Sequence, residues 1–217
     1  MAHMSSEYSS SLQRKQAGID HRRNLILDAA RAVFREHGLE AASLREIAKR
    51  AGYTPGAIYS YYPSKEDMYG ALLAESLQRL QGAVEAAAAK PRLPLRKLHA
   101  AAMAFYQFYA EHPQDLELGF YLFNGLKPQG LNKNLNTALN TALLACLQPI
   151  QTALQSHGLS EKKAVAETTA LFAHSVGLLM LQHTGRIRLF AQNPAQQFEM
   201  HLGHLLDRLV ATTPSTP

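Results

Sequence analysis

A chain of 217 residues, 47 % of them hydrophobic, can hold one large domain or two small ones around a real core. Its one cysteine, Cys146, excludes an intramolecular disulfide and fits a reducing cytoplasm. The net charge of +5 is unevenly placed: residues 1–65 carry ten Lys/Arg against six Asp/Glu, while residues 66–217 carry twelve against eleven. The surplus at the N-terminal end suits a polyanionic partner.

Residues 1–17 are polar and serine-rich and read as a disordered arm, from which Arg14, Lys15, Arg22 and Arg23 could reach a phosphate backbone. MAHM at the start resembles an expression-vector scar, and no secretory leader is evident. From Asp20 to His37, the residues Ile26, Ala29, Ala30, Val33 and Phe34 recur at helical spacing, and Gly38 ends the helix. Ser43 followed by Glu46 is a capping box, so the next helix starts at Leu44. Leu44, Ile47 and Ala48 give it one apolar face, with Arg45, Lys49 and Arg50 outside, and Gly52 supplies a left-handed stop. Thr54 caps a second short helix that Pro55 opens, that Ile58 anchors and that Pro63 cannot continue past about Tyr61.

Two short helices joined by a glycine-containing turn read as helix-turn-helix, whose second helix enters the DNA major groove. Gly56 and Ala57 allow close approach, and Thr54, Tyr59, Ser60 and Tyr61 carry hydroxyls for phosphates or base edges. Lys65, at the start of the following helix, suits a phosphate. Ser43, Arg45 and Pro55 complete the expected DNA-contacting set. A plain surface helical hairpin is the competing reading.

The segment ASLREIAKRAGYTPGAIYSYYPSKEDMYGALL, with LILDAARAVFREHGLEAASLREIA overlapping its start, resembles the DNA-binding signature of the tetracycline-repressor (TetR) family. The resemblance is dense from about Arg23 to Leu73. Tyr53 departs from it, since the family more often has a small aliphatic residue there. It implies an all-α fold: an N-terminal three-helix helix-turn-helix domain followed by a C-terminal helical ligand-binding and dimerisation domain. The boundaries are then 1–17 for the arm, 18–65 for the DNA-binding domain, 66–211 for the effector-binding and dimerisation domain, and 212–217 for a frayed tail. The implied partners are a double-stranded DNA operator, a second copy of the chain and an unknown small-molecule effector, with no membrane and no cofactor.

Ser64 and Asp67 open a long helix reaching about Ala89, with Met68, Leu72, Leu73, Leu77, Leu80 and Val84 as its stripe. Pro91 and Pro94 mark a boundary. Helices follow at Leu95–Glu111, Gln114 to about Asn124, Leu131 to about Ser156, Glu161–Thr184 and Pro194 to about Ala211. Pro149 lies inside the third of these and predicts a kink near Ala145. No apolar run reaches the roughly 18 residues of a membrane span; the longest, Ala170 to Leu181, is interrupted by His174, Ser175 and Gly177.

No glycine-rich phosphate loop, G-x-S-x-G elbow or H-E-x-x-H occurs, and no titratable pair suggests an enzyme. His201 and His204 share a helix face, but two histidines do not make a zinc site, and no metal is expected. The aromatic-rich helix Leu95–Glu111 reads first as core packing between helices; the resemblance favours a ligand pocket there, which with the polar His174 in an apolar stretch is expected to be lined by Met103, Tyr106, Phe120, Phe123, Asn124, Leu144 and His174. With no Lys/Arg cluster there, the ligand is largely apolar. The last two helices also carry apolar stripes, and the resemblance implies that they pair with those of a second subunit, through Leu179, Phe198, Leu202, Leu205, Leu206 and Leu209; burial within the monomer is the competing reading and must take part of each stripe. The expected function is a regulator, most simply a repressor, released from a palindromic operator by its effector. An architectural DNA-binding protein without an effector, and an all-α enzyme or carrier, are the alternatives.

Overall fold

The computed structural model describes the backbone of residues 2–120, 131 and 133–212, and the side chains of 12–120, 131 and 133–211. Those residues form nine α-helices and one 3-10 turn, with no strand among them. The chain divides into two compact units, Met1–Ala74 with Leu118–Asn136, and Glu75–Glu117 with Thr137–Pro217.

The first unit contains α1 (Ala2–Ala41), α2 (Leu44–Ala51), α3 (Pro55–Tyr59) and the first turns of α4 (Lys65–Ala89). Gly38 breaks α1 with φ 74° and ψ 170°, a conformation a Cβ would oppose. Ile26, Ala30, Val33, Phe34, Ile47, Ala48, Ile58 and Met68 are fully buried. Each of the larger apolar side chains contributes about 1.5–3 kcal/mol on burial. Phe34 meets Tyr69 edge-on at 5.7 Å. The Tyr69 hydroxyl donates to Leu118 O at 2.6 Å, and Leu135 covers the buried, Cβ-less face of Gly70. α1 begins at Ala2 rather than Asp20, so the stretch expected as an arm is helical. No proline interrupts it, and a single glycine, Gly18, costs a helix only about 1 kcal/mol.

The second unit holds the rest of α4, α5 (Pro94–Glu111), most of α6 (Pro113–Gly119), α7 (Lys133–Ser156) from Thr137, α8 (Glu161–His183) and α9 (Pro194–Thr212). A 3-10 turn, Arg186–Phe190, joins the last two. α5, α8 and α9 pack on one another. Phe105 touches both Tyr109 and Phe172, and Tyr106 stacks on Phe198 at 4.7 Å. The buried Asp115 carboxylate is paired with Arg79. α7 continues through Pro149. The predicted end of α6 at Asn124 lies outside the described residues.

Candidate functional site

Two caps set the geometry of the reading head. Ser43 Oγ accepts from Glu46 N at 3.2 Å, and Thr54 Oγ1 accepts from Ala57 N at 3.2 Å. Between them Gly52 adopts φ 75°, ψ 26°, and its N–H returns to Lys49 O. That is the left-handed stop that turns the chain from α2 into α3. Ile58, fully buried, is the anchor of α3. The rest of the helix faces outward: Pro55, Gly56, Tyr59 and Ser60 are exposed, and Ala57 is half-buried. Tyr59, at 55 % exposure, is the largest group presented.

The hydroxyls are not equivalent. The Ser60 hydroxyl donates to Ala57 O at 2.6 Å, which leaves it only acceptor capacity toward a ligand. Thr54 and Ser43 use their oxygens as acceptors and keep a donor that a phosphate can take. Tyr61 is hydrogen-bonded by Arg22, whose guanidinium pKa it raises. Arg23 lies over the Tyr62 ring, 5.1 Å from its centroid, with its Nε donating to the hydroxyl at 3.5 Å. Both arginines are thereby placed against the segment after α3. Arg45 is exposed on α2.

Lys65 differs from the expectation. Its Nζ donates to Glu40 O at 2.6 Å and to Ala42 O at 3.1 Å. A cation suits carbonyls left without helical donors, and here it ties the start of α4 to the end of α1. Two of its three donors are used within the protein, and one is left for a phosphate.

The second unit carries an open groove of about 650 Å³ between α4, α5 and α7. α4 contributes Gln81, Glu85, Ala88 and Ala89; α5 contributes Lys97; α7 contributes the face from Thr141 to Ser156, including Leu144, Gln148 and Thr152. Ala145 and Pro149 both line it. Proline has no N–H, so the Ala145 carbonyl lacks the donor that an interior helix position would supply.

Residues 26–72 match the family described as "Bacterial regulatory proteins, tetR family", and residues 98–205 match "Tetracyclin repressor-like, C-terminal domain". The chain belongs to the TetR family. The transcriptional activator FasR of Mycolicibacterium smegmatis is 35 % identical over 101 residues, 46 % of each chain. The transcriptional repressor KstR2 of Mycobacterium tuberculosis is 32 % identical over 101 residues, 46 % of this chain and 50 % of that one. The matches thus span about half the length of these curated relatives. FadR of Bacillus subtilis, solved in complex with stearoyl-CoA, superposes with a TM-score of 0.63 at 20 % identity, covering 87 % of this chain and 98 % of that one.

Within this TetR-family chain, the described second-unit residues expected to line the effector pocket do not form one wall. Among them, Leu144 lines the groove. Tyr106 and His174 instead flank Phe198, at 4.7 and 6.3 Å, in a packed aromatic column between α5, α8 and α9. Tyr106 there donates to Gln182 Oε1 at 3.1 Å, and burial pushes its phenol pKa up to about 12. Met103 is half-buried on α5, and Phe120 belongs to the first unit. Phe123 and Asn124 lie outside the described residues. His201 meets His174, ring to ring at 3.9 Å, rather than joining His204 in a ligand set.

The residues expected at the dimer interface take part in packing within the chain. Leu179, Phe198, Leu202, Leu205 and Leu209 are buried within the single chain, and Leu206 is half-buried. Their stripes are spent on packing α8 and α9 against each other and α5. A second, smaller-residue face of α8 stays exposed: Val165, Ala166, Thr169, Ala170, Ala173 and Gly177. Met200 and Val210 are exposed on α9. By length and composition α8 could cross a membrane, contrary to the reading of the apolar run, yet only 33 % of its 18-residue apolar window is buried.

Proposed function

We propose that the protein is a homodimeric, ligand-responsive transcriptional regulator, most simply a repressor, acting on a palindromic operator in the cytoplasm. The observation that carries this is α3: a five-residue helix held by one buried isoleucine and two caps, with every other side chain turned outward or half-covered. Such a helix serves its own unit little as packing and serves a major groove well. Thr54, Pro55, Gly56, Tyr59 and Ser60 form its reading surface, with Ala57 behind them. Ser43, Arg45 and Tyr61 flank it. The relatives include an activator and a repressor.

The dimer is supported by the exposed small-residue face of α8 with Met200 and Val210 of α9. Two copies joined there would carry two reading heads, which bind when their recognition helices stand about 34–36 Å apart, one turn of duplex.

The groove supports an effector site in the second unit. Its walls mix alanine, leucine and proline with Gln81, Thr141, Gln148 and Thr152, and its charges, Glu85 and Lys97, balance. That lining favours an uncharged or zwitterionic amphipathic ligand over a strong anion. FadR of Bacillus subtilis holds stearoyl-CoA, but at 20 % identity the likeness concerns the fold. α4 and α7 both line the groove and both extend into the first unit, where Leu135 of α7 rests on Gly70 of α4. A ligand that prefers a different arrangement of these two helices shifts the population away from the DNA-binding state, and operator DNA weakens the ligand by the same factor.

The test is a gel shift with an inverted repeat from the DNA flanking the coding sequence. Retardation by wild type, and its loss in a Tyr59→Ala variant of unchanged melting temperature, is the expected result. No retardation of any flanking inverted repeat overturns the reading.

A further inference from the structure

α1 extends well beyond the core it serves. Every residue from Leu12 to Leu25 is exposed except the half-buried Ile19, and burial begins at Ile26. Most helical stability comes from a buried face, so this stretch gains little from its own unit. Its charges are sorted instead. Arg14 and His21, and likewise Lys15 and Arg22, stand about two turns apart, so the four share one side of the helix with Gly18 between them. The one carboxylate from Leu12 to Leu25, Asp20, lies on the opposite side and accepts from Gln16 Nε2 at 2.9 Å. The side that carries Arg14, Lys15 and Arg22 is therefore uniformly basic, and a Cβ at Gly18 would meet nothing within 4 Å.

The root of this basic side is tied to the reading head. The Arg22 guanidinium donates to the Tyr61 hydroxyl and lies within electrostatic reach of the Tyr53 phenol. Tyr53 immediately precedes the Thr54 cap of α3, and Tyr61 follows the helix, so Arg22 is held beside both ends of α3. Tyr53, where the family more often has a small residue, thus has a neighbour on α1. One bond to Tyr61 leaves the guanidinium further donors, and a phenol does not neutralise its charge. From Arg22 the helix carries the other cations onward: at about 1.5 Å per residue, Arg14 lies about 12 Å along it. Duplex DNA advances about 3.4 Å per base pair, so that span matches about three to four of them.

We propose that the basic side of α1, formed by Arg14, Lys15 and Arg22, is a second DNA contact that lies on the phosphate backbone next to the major groove that α3 enters. The proposal rests on the reading of α3 as a DNA-binding helix. Three cations on one face without a carboxylate fit a row of phosphates through counterion release, and such contacts fix register without reading sequence. The arm thereby lengthens each half-site by about three to four base pairs whose identity does not matter.

The experiment measures binding of the full chain to labelled operator duplex by fluorescence anisotropy between about 50 and 200 mM salt. Arg14→Gln with Lys15→Gln puts good helix formers at exposed positions, and circular dichroism checks the fold. In a dimer this pair removes about four phosphate contacts, so the salt slope should fall by about three to four and affinity by at least about tenfold. Operator and a scrambled duplex of the same length should weaken alike, because the lost contacts carry no sequence information. Lys90→Gln with Arg92→Gln, an equal change of charge at exposed positions elsewhere, should leave the slope as it is. Trimming about four base pairs from each flank should cost wild type the same affinity and cost the Arg14→Gln, Lys15→Gln variant nothing further. A variant that matches wild type in slope, affinity and flank dependence would overturn the arm and leave the reading of α3 standing. A slope that falls as far in the Lys90→Gln, Arg92→Gln control would make net charge the cause and overturn the contact. Wild type that binds no inverted repeat would overturn both readings.

Discussion

Lys65 Nζ sits 2.6 Å from Glu40 O, so a lysine from the first turn of α4 closes the end of α1 across 25 residues of sequence. With the second bond to Ala42 O, it ties the start of α4 to the end of α1 and to the connection that leads into α2. A hydrogen bond to a charged group contributes about 1.5–3 kcal/mol, less where partly exposed. Lys65→Met, which keeps the apolar stem, is expected to lower stability by about 1–3 kcal/mol in urea melts. The salt slope of operator binding should stay the same, because a lost phosphate contact would reduce it by about one. A changed slope with unchanged stability would return Lys65 to the DNA interface.

Neighbouring residues of α3 should separate folding from reading. Ile58 is fully buried and Tyr59 is mostly exposed. Ile58→Ala is expected to cost about 2–5 kcal/mol of stability. Tyr59→Ala should stay within about 0.5 kcal/mol of wild type and still weaken operator binding. Chemical denaturation beside fluorescence anisotropy with labelled duplex distinguishes the two. Equal loss of stability in both variants would mean that Tyr59 is a packing residue.

The reading head was visible in the sequence because its determinants are local. Ser43 with Glu46, Gly52, and Thr54 with Pro55 act within a few residues of themselves, and each cap forms as its spacing predicts. The internal bonds of Lys65 were not legible, because its partners are backbone carbonyls 23 and 25 residues away, which no side-chain pattern reveals. The stripes of α8 and α9 are real, but periodicity does not name the partner, and the larger residues went to the chain's own core. The exposed face of α8, rich in alanine with Gly177, has too little hydrophobicity to stand out beside them. Nor did spacing reveal that Leu144 would face α4 across an open groove while Tyr106 turned to Phe198.

His174 makes stability depend on pH in a definite direction. Burial, and then the neighbouring His201, lower its pKa below the ordinary 6.5. Its Nε2 is buried without a hydrogen-bond partner, and its ring stacks on His201 with Phe198 nearby. The unfolded chain therefore takes up a proton near 6.5 that the folded chain refuses. The stabilising effect is fully present above that pH and is lost as pH falls through it toward the folded value. The melting temperature of wild type should drop more steeply between about pH 7 and 5 than that of His174→Phe, which keeps the stack and cannot titrate. Parallel pH profiles would assign the acid lability to other histidines.

The outer face of α8 and its inner face should give different failures. Ala173 is exposed, and a Cβ at Gly177 meets nothing within 4 Å. Ala173→Glu with Gly177→Glu should leave a helical, cooperatively melting chain that elutes as a monomer, since like charges would face each other across the proposed interface. Leu202→Glu, at a fully buried position, should unfold or aggregate, because an unpaired buried carboxylate costs more than about 4 kcal/mol. Light scattering after size exclusion, with circular dichroism, separates these outcomes. A dimer that survives both outer-face changes would place the interface on another surface.

The groove itself can be tested before the effector is known. Leu144 is 66 % exposed at its wall, so Leu144→Asp should change stability by no more than about 0.5 kcal/mol. Ala88→Phe, from the α4 side, places a ring in the space a ligand would use. A thermal-shift screen of uncharged and zwitterionic amphipathic compounds on wild type should yield hits. Both variants should lose those hits while binding operator as before. Pro149→Ala gives a finer test, because it restores an N–H for the Ala145 carbonyl. Ligands that donate a hydrogen bond should weaken by about tenfold, the cost of one bond of about 1–1.5 kcal/mol. Ligands without a donor should be indifferent to it. If hits shift Leu144→Asp and Ala88→Phe as they shift wild type, they bind somewhere other than between α4 and α7.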